Sequence, residues 1–176
     1  MSDAGRPEPI GLARWTVTSG SNVNSRAAVV LRAGSHDWHA SAEGNGAVAA
    51  LFKAVDQALH DVLGGQPRLV AYDVHALAEG PDAEGRVTVQ IAPPAAAAGL
   101  RAGGRFTGEI ASTNIVAASV EAYVTAINAM LGDASWAGAA AEASARRGSA
   151  DGADEGAVGA ELGEEPAIDT TAWFSR

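Results

Sequence analysis

The sequence predicts an α+β fold built from two pseudo-symmetric β-β-β-α units, an internal duplication with helices packed against β-sheets. Three observations predict it. Short strand-like segments followed by a helical period occur twice in the same order, the two copies align without a gap at an offset of 68 residues around their helices, and Gly, Asn and Pro punctuate each helix. A chain of 176 residues suits one compact domain with tails.

In the first unit, Trp15 and Val17 alternate with Thr16 and Thr18, and a Gly/Ser/Asn break follows. A second strand centres on Val29, Val30 and Leu31, and the Gly34-Ser35 turn leads to a third from Trp38 to Ala42. The period then changes: Val48, Leu51, Phe52, Val55, Leu59, Val62 and Leu63 share one helical face, with Lys53, Asp56, Gln57, His60 and Asp61 opposite. Asn45 is placed to accept from the first free N–H groups of this helix, and Gly64-Gly65 before Pro67 ends it.

The second unit opens on a long strand, 69–78, read as strict alternation, with Leu69, Ala71, Asp73, His75 and Leu77 on one face and Val70, Tyr72, Val74 and Ala76 on the other. A Gly80-Pro81-Asp82 turn returns the chain through Val87, Val89 and Ile91, making a hairpin. After a Pro/Ala/Gly insertion at 93–104, a third strand runs into a helix carrying Val116, Val120, Tyr123, Val124, Ile127, Met130 and Leu131 on one face. The offset pairs Trp38 with Phe106, Val48 with Val116, Leu59 with Ile127 and Leu63 with Leu131. The expected organisation is a flexible lead-in at 1–13, a domain at 14–131 divided into units 14–65 and 66–131, and an acidic, Ala/Gly-rich disordered tail at 132–176 whose last anchored residue is Trp136. Trp173 and Phe174 near the end read as an unselected terminus or as a docking peptide.

Composition narrows the function. Without cysteine there is no disulfide framework, thiolate metal site or nucleophilic thiol, which suits a reducing compartment. No apolar run approaches the roughly 20 residues of a membrane-spanning helix, and the start has no secretory pattern, so a soluble cytoplasmic chain is expected. Most of the net charge of −9 falls in the tail, and the domain has no basic stripe, which argues against nucleic acid as a partner.

The search for chemistry finds little. His36 and His39 do not aim at one metal and have no third ligand nearby, so no metal and no cofactor is expected. His75, beside Tyr72 and Asp73, is either a titrating group near a ligand or a structural histidine. The serines Ser19, Ser21 and Ser25 lack any nucleophile or phosphate-loop context. The most suggestive element is Glu43-Gly44-Asn45-Gly46, where two glycines let a ligand approach the backbone and helix N–H groups favour an anion. An ordinary Asn-capped turn is the plainer alternative.

Four motifs in order carry a resemblance: Ser41-Ala42-Glu43-Gly44-Asn45-Gly46-Ala47-Val48-Ala49-Ala50-Leu51-Phe52; Tyr72-Asp73-Val74-His75-Ala76-Leu77; Gly80-Pro81-Asp82-Ala83; and Gly108-Glu109-Ile110-Ala111-Ser112-Thr113-Asn114-Ile115-Val116-Ala117-Ala118-Ser119. Over about residues 14–131 the chain resembles the C-terminal allosteric, dimerising domain of 2-isopropylmalate synthase, which citramalate synthases share. In that family the domain dimerises and binds the pathway end product, leucine, or isoleucine in citramalate synthases, to inhibit a separate barrel domain. For this chain the resemblance implies a homodimer that binds a branched-chain amino acid, leucine first, and regulates a separate synthase in leucine biosynthesis. It implies that the amino-acid group lies against Gly44, Asn45, Gly46 and Ala49, and that the side chain meets Val48, Leu69, Tyr72 and Ala76, with Ala83, Gly85 and Ile110 or Ile115 close by. Ala47, Ala49 and Asn114 depart from the residues common in that family. No counterpart of the barrel's metal-binding histidine pair is found, so no catalysis is expected of this chain. A dimerisation module without a ligand, and a degenerate synthase remnant, are the competing readings.

Overall fold

A computed structural model describes residues 8–151. Three strands, β1 (Gly11–Thr18), β2 (Ser25–Ala33) and β3 (His36–Gly44), precede the helix α1 (Ala47–Ala58) and a single further turn α2 (His60–Leu63). Three more, β4 (Arg68–Ala76), β5 (Gly85–Ala92) and β6 (Phe106–Ser112), precede the long helix α3 (Ile115–Leu131), and α4 (Ala139–Asp151) follows. Each set of strands forms a separate antiparallel sheet in sequence order, so the duplicated β-β-β-α plan is present as expected.

The alternation of each central strand decides what faces the helices. Ala27, Val29 and Leu31 of β2 and Val87, Val89 and Ile91 of β5 are buried, while Arg26, Arg32 and Arg86 point to the outer faces. Helix α1 covers β2 and β3, and α3 covers β5 and β6. The two helices also pack on each other, so Leu51, Val55, Val120, Ile127 and Met130 belong to one core shared by both units.

Glycine allows the closest of these approaches. A Cβ at Gly108 would stand 1.9 Å from the Ala122 carbonyl oxygen, so β6 and α3 touch through backbone. Gly44 does the same for β3 and the first turn of α1, where a Cβ would lie 2.7 Å from the Ala50 nitrogen.

Several expectations are corrected. Strand β1 starts at Gly11, and Ile10 before it is already buried and doubly bonded to Asn128: its N–H donates to Oδ1 (2.9 Å) and its carbonyl accepts from Nδ2 (2.7 Å). The first helix breaks at Leu59, whose ψ of 8° interrupts it, so α2 is a separate turn closed by the left-handed Gly64. Order also continues past residue 131. Trp136 and Ala143 are buried, and Arg101 in the 93–104 insertion holds this segment through the Ser135 carbonyl (3.0 Å), a forked pair with Glu142 and the face of Trp136. Composition argued against a helix here because it cannot register a tertiary anchor supplied by a distant loop. Residues 1–7, and Trp173 and Phe174, lie outside the described residues. Among the described residues no single helix is long and apolar enough to cross a membrane.

Candidate functional site

The two long helices begin differently. Helix α3 is capped by Asn114, whose Oδ1 accepts from the Ala117 N–H (3.1 Å), while the Asn114 N–H donates to Ser112 Oγ (3.1 Å). In α1 the capping position is taken by Gly46, and no side chain caps it. The expected Asn45 cap is therefore not made: Asn45 is exposed one position too early. With Ala47, Val48 and Ala49 in the first turn and no acidic residue there, the positive end of the α1 dipole is left to whatever approaches from outside. A Cβ at Gly46 would meet nothing within 4 Å, so the approach is open, whereas Gly44 is buried and used by helix packing.

Strand β4 supplies the second surface. Its pairing with β5 runs Leu69 to Ile91, then Ala71 to Gln90, so Val70 is an extra residue. The bulge moves Leu69 onto the face of Tyr72, Val74 and Ala76, correcting the strict alternation read from sequence; Asp73 and His75 lie on the outer face opposite Thr88 and Arg86. Strand β1 has the same irregularity at Ala13, which puts Leu12, Trp15 and Val17 on its inner face. The two inner faces are treated differently: those of β1 pack against the core, whereas Leu69 (50%), Tyr72 (37%) and Val74 (44%) remain exposed, because α3 lies over β5 and β6 and leaves β4 beyond its edge.

The structure brings some expected site residues together and separates others. Ala76 pairs with Gly85, and a Cβ on Gly85 would fall 2.3 Å from Ile115 Cδ1, so these three meet at one end of the sheet, with Ile110 opposite Val87 one pair away. Ala83 is half-buried in the hairpin turn. Val48 lies one helical turn before Phe52, whose ring meets Tyr72 edge-on at 6.2 Å, while Ala49 is exposed. Leu69 lies at the opposite end of β4 from Ala76, about 20 Å away along the strand, beyond the reach of one amino acid touching both.

Five residues around Tyr72, namely Ser119, Phe52, Tyr123, Asp56 and Gln66, were not expected at the site from sequence. The Tyr72 hydroxyl bonds Ser119 Oγ (2.8 Å), and Ser119 in turn donates to the Ile115 carbonyl (2.6 Å). Phe52 stacks on Tyr123 with centroids 4.3 Å apart, and the Tyr123 hydroxyl donates to Asp56 Oδ1 (2.5 Å), whose Oδ2 accepts from Gln66 Nε2 (2.8 Å). Burial raises the Asp56 carboxyl against both hydrogen bonds, and burial first, then the neighbouring carboxylate, raises the Tyr123 phenol. The sequence signals for this cluster are Phe52 and Tyr123 on the apolar faces of their helices.

Away from this region, His36 rests edge-on against Trp38 at 4.4 Å, His39 and His75 are exposed, and no three His, Asp or Glu side chains converge among the described residues. A cavity of about 880 Å³ lies between Ile10, Trp38, Val62, Leu131 and Trp136, and none of the expected site residues lines it.

Comparison with known proteins agrees with this architecture. The sequence profile of the LeuA allosteric (dimerisation) domain matches residues 2–131. The chain is 36% identical over 129 residues to a 2-isopropylmalate synthase of Nitrosococcus oceani, covering 73% of this chain and 23% of that protein. Against the 2-isopropylmalate synthases of Heliobacterium modesticaldum and Aquifex aeolicus it is 31% and 35% identical, covering 72% and 69% of this chain and 22% and 21% of theirs. It therefore spans less than a quarter of the length of these curated relatives. With the profile running through both β-β-β-α units, the chain belongs to the LeuA allosteric (dimerisation) domain family.

Proposed function

We propose that this chain is a homodimeric sensor of a branched-chain amino acid, leucine first, that regulates a 2-isopropylmalate-synthase-type enzyme whose reaction takes place outside these 176 residues. The observation that carries the reading is the asymmetry between the two helix starts: the second is closed by Asn114, whereas the first is glycine-flanked, uncapped and open. A carboxylate at that start is favoured by the free N–H groups and the helix dipole. Phe52, one turn along, leads to Tyr72 and the exposed aliphatic face of β4, which suits a branched side chain.

The same face supports dimerisation. An edge strand whose inner face leaves Leu69, Tyr72 and Val74 all at least a third exposed is unusual for a monomer. Covering what remains open of each side chain is worth on the order of 1 kcal/mol apiece.

Calorimetry with leucine, isoleucine and valine tests the sensing. Micromolar to low-millimolar binding of one of them is expected, and silence with all three at millimolar concentration would sink it. The purified chain is expected to release no thiol from acetyl-CoA with 2-ketoisovalerate, and turnover would overturn the non-catalytic assignment.

A further inference from the structure

The duplication is broken at one place along the contact between α1 and α3. Phe52 and Asp56 on α1 face Tyr123 on α3, and Tyr123 is the partner of both. At the offset of 68 residues these three correspond to Val120, Val124 and Val55, so the twofold-related half of the contact is aliphatic where this half is aromatic and acidic. A buried carboxylate held by a phenol and an amide, in place of a valine, contributes little net stability. Its geometry is specific, however, since the hydrogen bond fixes the Tyr123 ring, the ring stacks within 17° of parallel on Phe52, and Phe52 meets Tyr72 at 87°.

We propose that Asp56 is a positioning residue for the β4 face: through Tyr123 and Phe52 it sets the ring of Tyr72, making the site on one unit depend on the packing of the other. The inference rests on the reading of that face given above and deepens it. The path crosses the seam between the units, from α1 to α3 and back to β4, and Tyr72 is tied from its other side by Ser119, which is itself bonded to Ile115. Tyr72 is thus held between two anchors, one within its own unit and one that requires both. Gln66, in the link between the units, donates to the second oxygen of Asp56 and completes that anchor.

The chain has two tyrosines, Tyr72 and Tyr123, so fluorotyrosine labelling gives two fluorine resonances, assigned with Tyr72→Phe and Tyr123→Phe. Asp56→Leu is expected to move the Tyr72 resonance as well as that of Tyr123, although Tyr72 makes no hydrogen bond to Asp56. Asp56→Asn, which keeps an acceptor for the phenol, is expected to leave Tyr72 near its original position. If circular dichroism shows Asp56→Leu to be unfolded, Gln66→Ala decides, because it removes one donor and is expected to shift Tyr72 in the same direction by less. A Tyr72 resonance that stays in place in every folded variant overturns the inference. In a calorimetric arm, Asp56→Leu is expected to weaken leucine binding roughly tenfold and Asp56→Asn less than about twofold. A wild-type chain that binds no amino acid defeats the sensing proposal alone, and the fluorine spectrum still decides the role of Asp56.

Discussion

Asp56 receives hydrogen bonds from Tyr123 and Gln66, neither of which brings a positive charge, so desolvation outweighs them and its carboxyl is raised in the fold. A raised carboxyl favours folding when protonated: its contribution is complete below the unfolded value of about 3.9 and is lost as pH rises through the folded value. Wild type should therefore gain stability relative to Asp56→Asn as pH falls from 7 towards 4, measured by urea unfolding at stepped pH. The opposite slope would mean that the hydrogen bonds dominate. Nothing in the sequence marked this residue, because the helical period places Asp56 among Lys53, Gln57, His60 and Asp61 on a face expected to meet water. That period describes one helix against one layer, whereas α1 is packed by β2 and β3 on one side and by α3 on another, which leaves Asp56 only 8% exposed. Tyr123 was legible as a core position, yet not as the donor that makes an acidic neighbour tolerable.

Between elements, two glycines make opposite predictions. Gly46→Asp places a cap where a Cβ meets nothing, so α1 should be stabilised by about 0.5–1 kcal/mol through the cap and the helix dipole. The same carboxylate would occupy the place proposed for that of the ligand, and like-charge apposition costs several kcal/mol, so leucine affinity should fall at least tenfold. Thermal melts and calorimetry on one variant check both halves, and unchanged affinity would remove the start of α1 from the site. Gly108→Ala should instead cost about 3 kcal/mol or more, because its Cβ would meet the Ala122 and Ala126 backbone, which cannot give way. Gly85→Ala should cost about 1 kcal/mol, since it meets only the flexible tip of Ile115. Chemical denaturation separates the two. Strand and helix identities were legible from period and punctuation, but the bulges at Ala13 and Val70 were not, because neither is marked by glycine and each exists only in the pairing with its neighbour. One unread bulge put Leu69 on the wrong face of β4.

For the molecule as a whole, the repeat was legible in the 68-residue offset around the helices because α1 and α3 solve the same packing problem with similar small and aliphatic residues. The opening strands keep a different offset, with Trp15 and Tyr72 both paired to central-strand valines, because the β4–β5 link and the 93–104 insertion are both longer than their counterparts in the first unit. The two units then diverge in what they leave uncovered: the inner face of β1 is partly sealed by the core, and the equivalent face of β4 is open. If that open face is the contact between copies, a charge placed on it should separate them without unfolding either. Val74→Asp is the variant of choice, since Val74 is 44% exposed and its carboxylate would be solvated in the monomer but buried unpaired in the dimer, a loss of several kcal/mol. His75→Asp, one residue along on the outer face, carries the same new charge on the same strand and should leave the dimer intact. Sedimentation at micromolar concentration is expected to show a monomer for the first variant and a dimer for wild type and the second. A dimer that survives Val74→Asp would place the contact elsewhere, and one lost equally in both variants would point to the free edge of β4 in place of its inner face.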